Sequence, residues 1–234
     1  MTASNATVSS SRTTGDGGTP DRITWSLLGC GLVAGPFYVA VSVILGSTRG
    51  GFDFTRHYWS LLANGDLGWV QMANYVLTGL MVVAFAVGLR RAIHPGLGDL
   101  WAPALVGVFG AGQVVAGIFT SDSYGDFPFL PAVDGTDGTS GPGLLHFAAL
   151  CIGSAAIPAA CFALARRFAA DGAPGLARFS AATAVVVLIG LLPFIATFPG
   201  NAVNNVRFTI AVVFVLGWIA TVAAHLCRSL ADAR

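Results

Sequence analysis

Six runs of mostly apolar residues, each about 20 long, constrain this chain more than any other feature. They fall at about 23–46, 69–89, 100–119, 144–165, 179–198 and 206–227. A run of that length crosses the roughly 30 Å hydrocarbon layer as a helix. Lipid offers no hydrogen-bond partner to a backbone, so only helices or a closed barrel span it. Barrel strands would alternate in hydropathy over about ten residues, and these runs do not. The expected fold is therefore all-α: a polytopic membrane protein with six transmembrane helices in one domain over 19–234. Composition agrees, since charged residues make up only 10% of the chain, against about 25% in soluble proteins. Residues 1–18, rich in Ser, Thr and Gly with no apolar run, read as a disordered cytoplasmic tail. Thr19-Pro20-Asp21 reads as a helix start, with Pro at the first turn and Asp favoured by the dipole.

Arginine placement sets the expected orientation. Arg12, Arg22, Arg90, Arg91, Arg166, Arg167, Arg178, Arg228 and Arg234 share one side, and Arg49, Arg56 and Arg207 the other. Nine against three puts both termini in the cytoplasm, in an inner (plasma) membrane. All basic residues are Arg and all acids Asp, a bias that suggests a high-GC bacterial genome. A net charge of +1 gives no reason to expect a nucleic-acid partner. Cys30, Cys151, Cys161 and Cys227 lie in or beside the apolar runs without metal-ligand spacing, so they read as packing residues and no cofactor is expected.

Polar residues collect near the outer ends of the spans. Gln71, Asn74 and Thr78 follow at i, i+3 and i+7, one stripe on one helix face. Gln113 sits near the outer end of the third span and His146 opens the fourth. Asp53, Arg56 and His57 precede the second span, and Asp122 follows the third. Carboxamides in a membrane either glue helices together or line a wet cavity, and both readings stay open for the stripe. The ionisable groups allow an Arg56–Asp122 or Asp53–Arg56 pairing, or a metal or acid/base site built from His57, His146 and Asp122. They come from three segments and lack a ligand-spacing motif such as HExxH. Asp134-Gly135-Thr136-Asp137-Gly138 resembles a calcium loop but lacks its ligand spacing, and two Asp-Gly turns describe it better. Tyr58, Trp59, Trp69, Trp101 and Tyr124 sit where an interfacial aromatic belt belongs. Gly31-x-x-x-Gly35 and Gly107-x-x-x-Ala111 offer close helix approach, and Pro36, Pro158 and Pro193 can kink their helices.

Three places carry a resemblance: Arg56-His57-Tyr58-Trp59-Ser60-Leu61-Leu62 with Gly65-Asp66-Leu67-Gly68-Trp69-Val70-Gln71 and Ala73-Asn74; Gly117-Ile118-Phe119-Thr120-Ser121-Asp122; and Gly143-Leu144-Leu145-His146. They resemble the bacterial six-helix membrane proteins catalogued as domain of unknown function family 998. That pattern often has Pro directly after the motif histidine, where this chain has Tyr58. The resemblance implies an integral membrane protein and brings no reaction, substrate or cofactor. The expected function is binding of a small molecule or lipid headgroup in an outward-facing pocket formed by Asp53, Arg56, His57, Gln71, Asn74, Gln113, Asp122 and His146. The alternatives are a metal-dependent hydrolase using His57, His146 and Asp122, and a structural subunit with a protein partner. The lipid bilayer is the one partner that composition requires.

Overall fold

The computed structural model describes residues 19–123, 140–196 and 201–232. The expected tail at 1–18, Tyr124, the Asp-Gly turns at 134–138 and the end of the fifth span lie outside the described residues. Six helices form: α1 Thr19–Thr48, α2 Gly68–Ile93, α3 Trp101–Ile118, α4 Gly141–Ala170, α5 Pro174–Ala196 and α6 Ala202–Asp232. All six are long and apolar enough to cross a membrane, and no strand occurs among the described residues. A single 3-10 turn, Trp59–Ala63, lies between α1 and α2.

The helices form a closed ring. Each packs against its neighbours in sequence, and α1 closes the circle on α6. Glycines set the closest approaches. A Cβ on Gly79 would meet the Gly110 carbonyl at 2.5 Å, and one on Gly110 the Gly79 carbonyl at 2.9 Å, so α2 and α3 touch backbone to backbone. Gly35 meets the Leu216 backbone of α6 in the same way. The expected Gly107–Ala111 approach shifts within α3: Gly107 has only ordinary contact space and Ala111 is exposed. The residue one position before Ala111 faces α2 instead.

The half of the ring nearest the termini is filled. Leu28, Val82, Phe85, Leu89, Ile157, Cys161, Leu164, Trp218, Ile219 and Val222 form one apolar core. Trp218, Ser180 and Thr183 pair within it: the Trp218 indole donates to Ser180 Oγ (2.9 Å), and the Ser180 and Thr183 hydroxyls donate back to their own helix. At the headgroup edge Arg167 donates to Asp171 and to the Ile93 carbonyl, tying the α4 end to the α2–α3 turn. Trp69 and Trp101 are 65% and 69% exposed, as belt residues should be. Tyr58 is not; it is buried in T-shaped contact with Phe194 of α5.

Candidate functional site

The other half of the ring is hollow. A cavity of about 480 Å³ opens between the helices on the side of the 49–67 loop, and every helix contributes to its lining. It descends along α4 from Gly143 to Ser154, about 16 Å at the helical rise. Its walls are largely aromatic, from Tyr38, Tyr58, Trp59, Tyr75, Phe109, Phe147, Phe194 and Phe208. Tyr38 holds the wall together, stacked on Trp59 and edge-on to Tyr75.

Local structure explains how the polar groups reach this space. The loop before α2 is tied down by its own backbone. Asp53 accepts from the amide and hydroxyl of Thr55, an Asx turn, and its amide donates to His57 Nδ1 at 2.9 Å. The Thr55 hydroxyl, then its amide, hold the Asp53 carboxyl below the ordinary carboxylate value, with smaller help from His57 and Arg56. From α6, Asn205 Nδ2 donates to the carbonyls of Phe54 and His57. That pair of bonds fixes the loop over the ring and leaves Asn205 Oδ1 without a partner at the cavity.

Asp122 and His146 manage the two helix ends that meet here. The Asp122 carboxylate accepts the Ser140 amide at the start of α4 and lies against Gly143, where a Cβ would collide with it. A negative charge at that end complements the helix dipole. His146 Nδ1 lies 2.8 Å from both the Ala116 and Phe119 carbonyls at the end of α3. Carbonyls only accept, so Nδ1 carries the proton and Nε2 of the neutral ring is an acceptor. Nε2 is buried with no partner, on a residue that lines the cavity. Gln113 Oε1 and the Trp59 indole N–H share that condition.

Of the residues the sequence puts forward, Gln113, Asp122 and His146 line the cavity. Gln71 and Asn74 sit instead in the α1–α2 seam. Gln71 Nε2 donates to Ser42 Oγ, and Asn74 Nδ2 donates to Ser42 Oγ, the Tyr38 carbonyl and Gln71 Oε1. Thr78 completes the stripe by donating to Asn74 Oδ1. Asp53, Arg56 and His57 belong to the loop outside the cavity lining, where His57 is buried and Arg56 exposed. No group of three His, Cys, Asp or Glu among the described residues is placed to hold a metal ion. Sequence reasoning missed Tyr38 and gave Trp59 and Asn205 no role in a pocket. The signal available was an aromatic in the middle of α1 and an Asn pair opening α6.

The family model DUF998, described as a protein of unknown function, matches residues 32–225. No curated protein and no solved structure matches the chain.

Proposed function

The chain belongs to the DUF998 family, and from that premise we propose that it binds a small molecule or lipid headgroup in the cavity. In this proposal the cavity end faces out of the cell, and both termini are cytoplasmic. One observation carries it: four buried polar atoms without partners, on Trp59, Gln113, His146 and Asn205, belong to residues lining one space. Leaving such a group unpaired costs about 1–3 kcal/mol. Four of them amount to roughly 4–12 kcal/mol, comparable to the whole stability of a domain. A partner for them in the cavity would remove that cost. Water alone would fill the volume with about 16 molecules at roughly 30 Å³ each, many of them against ring faces. A ligand with an apolar body and a polar end satisfies both surfaces, and the volume lies within the usual range of about 300–1,000 Å³.

Binding is favoured over passage because the packed core beneath the cavity offers no polar route onward. The metal-dependent alternative would need convergent donors; Asp122 is engaged at the α4 terminus and His57 with the Asp53 amide. The orientation rests on the nine-to-three arginine bias. Native mass spectrometry of protein extracted without chelators tests the proposal. A bound non-protein mass that survives lipid stripping is expected in the wild type and is reduced in Gln113→Leu. A bare protein mass in both overturns it. Labelling of Asp66→Cys in intact cells by an impermeant reagent tests the orientation, and protection from the reagent overturns that part.

A further inference from the structure

We infer that the cavity selects a protonated primary or secondary amine carried on an apolar body and rejects anions of the same shape; this rests on the cavity being a ligand site. The first ground is the sign of the open hydrogen-bonding atoms. His146 Nδ1 is committed to two carbonyls, so the ring offers the cavity a lone pair at Nε2. Asn205 Nδ2 is committed to the Phe54 and His57 carbonyls, so that side chain offers Oδ1. The Gln113 carboxamide makes no hydrogen bond and can present either its oxygen or its N–H. Two fixed acceptors, His146 Nε2 and Asn205 Oδ1, stand against one fixed donor, the Trp59 indole N–H. A molecule that fits best brings more donors than acceptors.

Charge gives the second ground. Asp122 lines the cavity and no Arg does. The arginines at this end are directed elsewhere: Arg49 donates to the Asn64 carbonyl and Arg207 to Asn204 Oδ1. Arg49, Arg56 and Arg207 are matched in number by Asp53, Asp66 and Asp122. A carboxylate or phosphate ligand would meet the His146 and Asn205 lone pairs and a carboxylate, with no arginine in the lining to offset its lost hydration.

The walls supply the third. Tyr38, Trp59 and Tyr75 present ring surface to the cavity, and ring faces attract ammonium groups. A quaternary ammonium has no N–H and would leave the acceptors unpaired. An alcohol brings a single donor. A primary or secondary ammonium brings two or three donors and the charge.

Matched eight-carbon probes separate these chemistries: octylamine, 1-octanol and octanoate, each added to the full-length protein in nanodiscs of zwitterionic lipid at neutral pH. The readout is saturable stabilisation against heat, with Gln113→Leu reporting the part due to bilayer partitioning. The expected result is saturable binding of octylamine, about tenfold or more tighter than octanol, and none of octanoate. Asp122→Asn, which keeps an oxygen for the Ser140 amide, should weaken octylamine by about tenfold and leave octanol unchanged. Octanoate binding as tightly as octylamine overturns the assignment, as does equal binding of amine and alcohol or an Asp122→Asn effect shared by both. If octanol or octanoate binds saturably and Gln113→Leu abolishes it, the cavity stands as a ligand site and the amine assignment fails. If none of the three binds saturably the amine assignment also fails, and the mass measurement decides the cavity.

Discussion

Two sets of buried carboxamides occupy the same end of this ring and have opposite fates. In the α1–α2 seam, Gln71 and Asn74 bond to each other, to Ser42 and to the Tyr38 carbonyl. In the cavity wall, Gln113 and Asn205 each keep an oxygen with no partner. Both sets are within 3% of full burial. Burial and residue type are therefore equal, and the difference is whether a donor reaches the carboxamide oxygen: Ser42 and Asn74 reach Gln71, and Thr78 reaches Asn74. The seam spends its polarity on holding two helices together. The wall keeps its carboxamide oxygens open.

Stability measurements can break that contrast, and the largest effect should come from the seam. Asn74→Leu removes the donor to Ser42, Gln71 Oε1 and the Tyr38 carbonyl, and it strands the Thr78 hydroxyl, which donates to Asn74 Oδ1. It should cost about 2 kcal/mol in reversible unfolding, given roughly 0.6 kcal/mol per membrane hydrogen bond plus the stranded groups. Gln71→Leu should cost about 1 kcal/mol for the same reason, whereas Gln113→Leu should fall within about 0.5 kcal/mol of wild type or stabilise. Equal losses for these two would erase the distinction between seam and wall. Gly143→Ala comes next: its Cβ would displace the Asp122 carboxylate from the α4 terminus, at about 1 kcal/mol. Its thermal midpoint should drop modestly while amine binding weakens more than octanol binding.

The smallest effect lies at the far end, outside the comparison, and serves as its control. The Asp99 carboxyl is held below its ordinary value first by His94, 2.6 Å away, and then by the Gly96 amide and the surrounding positive charge. A depressed carboxyl favours the folded turn above its unfolded value, near pH 4. That contribution fades as pH falls through the lower folded value. Amide exchange in the 94–100 turn should therefore rise only below about pH 4 and be insensitive to acid in Asp99→Asn.

The architecture was legible because lipid allows few solutions. Every helix predicted from an apolar run is present, and three of the six, α1, α4 and α6, run two or more residues past the expected window at both ends. Arg90, Arg91, Arg166 and Arg167 continue α2 and α4 as helix beyond the apolar stretch. Hydropathy marks where the membrane is, while helical hydrogen bonding goes on past it. The candidate site was legible only in part. Gln71-x-x-Asn74 and Gln113 look alike as sequence, and nothing in either predicts that Ser42 sits opposite one and open space opposite the other. That depends on ring closure, which brings α1 between α2 and α6. Trp59 read as a belt residue for a similar reason, since an aromatic near a span end gives no hint of whether it turns toward lipid or toward Tyr38.

The central claim is that the open atoms of the wall meet a bound molecule. A high-resolution map of the protein taken directly from its membrane tests this most directly. The prediction is one continuous non-water density in the cavity, within hydrogen-bond distance of His146 Nε2, Asn205 Oδ1 or Gln113 Oε1. Separate water-sized peaks alone, or side chains closed over those atoms, would contradict it.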